Sequence, residues 1–131
     1  MFKSKLTKKA IMLVYKAYLN DFDNDVPKVI KLYEIASKLT LETEQCTALL
    51  MDVIDDKKLS FESLQKEFHF EISEAVRLLS KDDLLSFPDY IRRIKTNEIA
   101  RNVKIVRLEE ELKSLTNINK EKHLFALKIL K

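Results

Sequence analysis

The sequence predicts an all-α protein, and three observations carry that expectation. The 131 residues contain no glycine and only two prolines, where an average chain has about 7% glycine. Tight hairpins, phosphate-cradling loops and dinucleotide turns need φ > 0 or a close backbone approach, so the lack of glycine argues against all of them. Apolar residues then recur at helical spacing in successive runs. Residues that favour helix starts stand ahead of those runs: Pro27, Thr40, Ser60 and Pro88. The length suits one domain over residues 1–131, a bundle of about seven to eight helices around one core.

The first helix is expected from about Thr7 to Tyr18, with Ile11, Val14, Tyr15 and Tyr18 on its inner face. Asn20 to Asp25 is a polar turn. Pro27 opens a second helix whose apolar positions are Ile30, Tyr33, Ile35, Ala36 and Leu39. Thr40 caps a third, with Glu42 and Glu44 in the first turn to complement its dipole. Ser60 caps a fourth, and Leu59 and Leu64 have the spacing of a hydrophobic staple. A fifth helix runs from Ile72 to about Ser80, after Phe68 and Phe70 at the junction. Asp82 and Asp83 mark a turn, and Pro88 opens a helix containing Tyr90, Ile91 and Ile94. A long helix from about Asn97 to Leu115 places Ile99, Val103, Ile105, Val106, Leu108 and Leu112 at core spacing. Leu124, Leu127 and Leu130 belong to a last helix.

The net charge is +3, with Lys and Arg interspersed among Asp and Glu. That pattern describes solvated helix faces; no basic stripe interleaved with aromatics suggests nucleic acid. Cys46 is the single cysteine and sits in an apolar run, so it reads as a small core residue. No apolar run reaches membrane length and no signal peptide is visible, so the expectation is a cytoplasmic protein with no membrane partner.

The chemistry concentrates in Ala48-Leu-Leu-Met-Asp-Val-Ile-Asp-Asp56. It reads as an apolar helix that carries three carboxylates on one face, Asp52 one turn before Asp55 and Asp56, all three adjacent. Carboxylates crowded beside Leu49, Leu50, Val53 and Ile54 need a cation or must bind protons. Lys57 and Lys58 follow and read as a solvated turn.

This stretch resembles the Ala-Leu-Leu-His-Asp-Val-Val-Glu-Asp of the HD-domain metal-dependent phosphohydrolases, specifically the RelA/SpoT-type domain that hydrolyses guanosine tetraphosphate (ppGpp). Ser60-Phe-Glu-Ser-Leu-Gln-Lys-Glu-Phe68 is similar to the family's next segment. Glu74-Ala-Val-Arg-Leu-Leu-Ser-Lys81 resembles its helix ending in Leu-Thr-Lys. Tyr90-Ile-Arg-Arg-Ile94 and Asn97-Glu-Ile-Ala-Arg-Asn-Val-Lys-Ile105 resemble the run before its last metal ligand, and Thr7-Lys-Lys-Ala10 looks like its small stand-alone members. The similarity covers nearly the whole chain and implies an HD-like helical bundle.

The resemblance implies a divalent metal such as manganese, held by two His and two Asp, that polarises phosphate and activates water. A neighbouring Glu-Asp pair assists proton transfer. Carried over residue by residue, the first His falls at Lys31, the second at Met51 and the final Asp at Arg107; only the first Asp is kept, as Asp52. The acidic pair becomes Asp55 and Asp56, which read as vestigial. His69 and His123 stand outside the pattern and read as ordinary partly exposed residues.

Three replaced ligands, two of them cationic, predict no metal cofactor and no hydrolysis by this route. Arg107 and Lys31 are expected to occupy the former metal site against Asp52, with Met51 filling core volume. The competing reading turns Arg107 outward to Glu110 or Glu111. The expected function is a degenerate HD-fold binding or regulatory module that takes an anionic nucleotide. The alternative is an active (p)ppGpp or nucleotide phosphohydrolase with an altered, manganese-loaded site. A third reading is a homo-oligomer joined through apolar helix faces.

Overall fold

The computed structural model describes residues 4–114 and 117–131, the side chains of 117–119 excepted. Among the described residues there are eight helices and one two-residue-stranded hairpin. They are α1 (Lys5–Ala17), β1 (Phe22–Asp23), β2 (Val26–Pro27), α2 (Lys28–Ser37), α3 (Glu42–Leu50), α4 (Phe61–Glu67), α5 (Phe70–Leu79), α6 (Phe87–Lys95), α7 (Glu98–Leu112) and α8 (Asn117–Leu130). No described helix is long and apolar enough to cross a membrane.

α3 is the central helix, packed against α1, α2, α5 and α7. Every residue from Glu44 to Leu50 is buried, so α3 is enclosed on all sides. Its polar members are paired locally: Asn102 donates to Glu44 at 2.7 Å, Gln45 donates to the Leu39 carbonyl at 2.9 Å, and Thr47 donates to the Thr43 carbonyl at 2.7 Å. Cys46 is fully buried, and burial, aided by Glu42, pushes its thiol up to about 12. It is a core residue.

The helix starts follow the expected chemistry in most places. Ser60 accepts from the Ser63 amide, Ser86 from Asp89 and Asn97 from Ala100. Ser4 caps α1, two residues ahead of the expected start, by accepting from Thr7. Thr40 does not cap α3; the chain enters one residue later, at Leu41, which makes no side-chain cap. The inner face of α1 is Thr7, Ala10, Val14 and Tyr18, and Tyr15 is exposed. Ile30 and Tyr33 are likewise exposed, because Leu32, Ile35 and Ala36 set the buried face of α2. The expected end of the long helix at Leu115 lies outside the described residues; α7 ends at Leu112.

Two corrections concern backbone turns. A tight hairpin does form without glycine: Phe22 pairs with Pro27 and Asp23 with Val26, and Asn24 and Asp25 take φ of 51° and 67°. Asn and Asp tolerate this left-handed region because their short polar side chains bond locally, so they serve where glycine would. Secondly, α3 does not carry the whole acidic motif. It ends at Leu50, and residues 51–57 form successive turns.

Those turns close with the Lys58 amide on the Val53 carbonyl at 2.8 Å and the Lys57 amide on Ile54 at 3.0 Å. This is the paired bonding that ends a helix at a left-handed residue, here Lys57 with φ 57°. A lysine bears a steric cost there that glycine lacks. Lys57→Gly is expected to raise stability by about 1 kcal/mol in urea unfolding. Lys57→Ala is expected to give no such gain, which separates the backbone effect from the charge.

Candidate functional site

The site lies where α2, the turn after α3 and α7 converge. The turn after Leu50 presents Asp52, whose side chain is only 13% exposed. Arg107 reaches it from α7: Nη1 donates to Asp52 Oδ1 at 2.6 Å. Lys28, in the first turn of α2, stands with Nζ 2.8 Å from Asp52 Oδ2. That is an ion-pair distance at angles that fall short of a hydrogen bond, so Oδ2 has no in-line donor.

Arg107 satisfies both readings of its side chain at once. While Nη1 holds Asp52, Nε donates to Glu111 Oε2 at 3.3 Å, one turn along α7. Glu111 Oε1 lies 3.0 Å from His123 Nε2 of α8. A chain of polar contacts therefore runs Lys28–Asp52–Arg107–Glu111–His123 across three helices and a turn. A guanidinium suits the middle of such a chain because its planar fork serves two carboxylates in fixed directions.

Burial pushes the Asp52 carboxyl up, but Arg107 and then Lys28 outweigh it and hold the group below the usual carboxylate range. Burial likewise opposes the charge on Arg107, and Asp52 and Glu111 override that and raise its pKa. The pair is ionised and internally neutralised.

The other predicted residues separate. Lys31 faces the same cavity, of about 530 Å³, but its Nζ pairs with Asp23 at 2.8 Å on the open side. The expected Lys31–Asp52 pairing is replaced by Lys28, one helical turn earlier on the same face of α2. Met51 is 2% exposed and packed in the core. Asp56 turns toward α1, where Tyr18 donates to its Oδ2 at 2.9 Å. Asp55 turns the other way and accepts the Lys81 backbone N–H at 3.2 Å. The three carboxylates do not form one cluster: Asp55 turns away to Lys81, while Asp52 and Asp56 diverge to Arg107 and Tyr18 and share Lys28, whose Nζ lies 2.8 Å from Asp52 and 3.8 Å from Asp56.

Burial, more than the nearby Asp52 and Asp56, raises the Asp55 carboxyl above its ordinary value despite the Lys81 bond. A raised carboxyl favours the folded state below its unfolded pKa and loses that contribution as pH rises through the folded pKa. Asp55→Asn keeps an acceptor for Lys81 without the charge. It is expected to leave stability within about 0.5 kcal/mol of the parent at neutral pH, by thermal unfolding.

Lys28, Tyr18 and His123 are site residues that sequence reading missed, whereas Glu111 is the partner the competing reading gives Arg107. Lys28 was signalled by its i,i+3 relation to Lys31. His123 had no local signal, since only the docking of α8 on α7 brings it to Glu111.

No family model matches the chain, and no curated protein sequence matches it. A solved structure does. It is of a metazoan ortholog of SpoT that hydrolyses ppGpp and plays a role in starvation responses. The likeness has a TM-score of 0.73 at 18% identity, over 99% of this chain and 85% of that one. The fold is an HD-domain-like helical bundle. The fold relationship with HD-type ppGpp hydrolases therefore stands on three-dimensional structure.

The residues in place do not fit the divalent metal that an HD hydrolase fold implies. Asp52 is held on both oxygens by cations, Arg107 offers a metal no donor, and Met51 is buried and offers only a soft thioether unsuited to manganese. Among the described residues, no group of three His, Cys, Asp or Glu side chains is arranged to hold one.

Proposed function

We propose that this chain is a degenerate relative of the HD-type ppGpp and nucleotide phosphohydrolases: one HD-like domain, without metal or hydrolase activity, that acts as a binding or regulatory module. One observation carries the reading. The carboxylate that the hydrolases commit to metal is here held by Arg107 at 2.6 Å and Lys28 at 2.8 Å. A dication would have to displace two cations that already compensate the charge, and both would then repel it.

The ligand class best supported is an anionic nucleotide, anchored through Lys31. The cavity is lined by five carboxylates against three cations, so it is not a general anion trap. Among the described residues, Lys31 is nonetheless held by the exposed Asp23 in a solvent-screened surface ion pair. A phosphate can recruit it without breaking the Asp52–Arg107 pair.

The test is an assay of the purified chain with manganese and ppGpp. No pyrophosphate release above the manganese blank is expected. Release that disappears in Asp52→Ala would establish the alternative, an active hydrolase with an altered site. Nucleotide binding is read by thermal shift with guanine nucleotides, and the shift is expected to vanish in Lys31→Gln. No shift with the parent chain would remove the nucleotide from the proposal.

A further inference from the structure

A second cavity, of about 410 Å³, opens between α6, α7 and α8 and holds an amine that the site above does not use. Lys104 projects from α7 into it, with Nζ 5.8 Å from the centre of the Tyr90 ring. Lys122, on α8, lies over Phe87 at 4.4 Å, and Lys81 stands at the rim. Phe87 and Tyr90 form a tilted aromatic floor, with ring centres 6.5 Å apart.

The acids of this cavity are largely engaged elsewhere. Asp82 pairs with Arg93, and Glu111 is divided between Arg107 and His123. We propose that Lys104 is a reactive amine that forms an imine with an aldehyde carrying a phosphate or similar anion, the carbonyl at Lys104 and the anion at Lys122 and Lys81. This stands independently of the nucleotide reading.

The chemistry needs no oxidant or metal. The neutral amine attacks the carbonyl carbon to give a carbinolamine, which loses water to leave the C=N bond. A lysine becomes available for this when burial or a neighbouring cation disfavours its ammonium form. Both act on Lys104. Burial first, then Arg107, bring its pKa down to about 8, against the pull of Glu111 and Asp52 and with a further push from Lys122. At about pH 7.5 roughly a quarter of such an amine is neutral, against about 0.1% for an ordinary lysine. The aromatic floor supplies a surface for a flat, conjugated aldehyde.

Pyridoxal 5′-phosphate is the probe, used on the full chain with borohydride to fix the imine and mass spectrometry to locate it. Lys104 is expected to label about tenfold faster than the exposed lysines at neutral pH, with a rate that rises through a midpoint near its pKa of about 8. Lys104→Arg, which keeps the charge and cannot form the imine, is expected to lose the fast phase. Lys122→Gln is expected to raise the half-saturating concentration severalfold for the phosphorylated aldehyde and to change that for pyridoxal much less, since Lys122 is the smallest of the influences on the Lys104 pKa. If Lys104→Arg does not fold, the site-resolved rates and pH profile of the parent chain decide alone. Labelling of Lys104 no faster than of surface lysines, or a midpoint in the ordinary lysine range, overturns the proposal.

Discussion

Arg107→Met is expected to destabilise the protein by about 3 kcal/mol at neutral pH, because it leaves Asp52 buried with one cation and an unfilled lone pair. Arg107 is 22% exposed and Asp52 13%, so solvent replaces little of what is lost. The double variant Asp52→Asn, Arg107→Met removes the buried charge as well and is expected to recover more than half of the deficit. A coupling of that size in a urea double-mutant cycle identifies the pair as an interacting unit. Additive losses would mean that Arg107 acts through packing alone.

The pH dependence has a definite sign. Arg107 and Lys28 lower the folded Asp52 pKa below its ordinary value of 3.8, against burial. The contribution of Asp52 is therefore complete above about pH 4 and is lost as pH falls from there through the lower folded pKa. In Arg107→Met burial remains while the main opposing charge has gone, so the folded pKa moves up. The stability gap between parent and variant is expected to be full at neutral pH and to narrow as pH falls through the variant's higher folded pKa toward the parent's lower one. A gap that is flat with pH would show that the carboxylate is not the group responsible.

Met51→His is expected to cost about 2 kcal/mol, and manganese is not expected to restore it. Met51 is 2% exposed in the hydrophobic core, where an imidazole must shed water without a built partner. Met51→Leu is a volume-conserving control expected to cost under about 1.5 kcal/mol. Metal would rescue the His variant only if other donors stood ready, yet Asp52 is engaged by Arg107 and Lys28. A manganese-dependent rise in melting temperature for Met51→His would instead show that the acidic site can open to metal, and would undercut the proposed loss of hydrolase function.

Much of the fold was legible because the relevant signals are local. Ser60 and Asn97 cap helices within three residues of themselves, and Leu64, Val103 and Leu127 repeat at spacings that need only one helix to interpret. Missing glycine argues against a tight hairpin, but the left-handed tolerance of Asn24 and Asp25 outweighs it. The acidic motif was read as one helix because its apolar spacing continues past Leu50. Periodicity does not record where the backbone turns into the left-handed closure at Lys57.

By itself the sequence determined the all-α class and the order of the helices. Only the tertiary structure decided who neutralises Asp52. Its partners come from Lys28, 24 positions before it, and Arg107, 55 positions after it. Which of two lysines one turn apart reaches a carboxylate depends on how α2 seats against α3, and a shift of a few ångströms exchanges a buried ion pair for a surface one. Helical spacing states which face a side chain shares, while packing between helices states what that face meets.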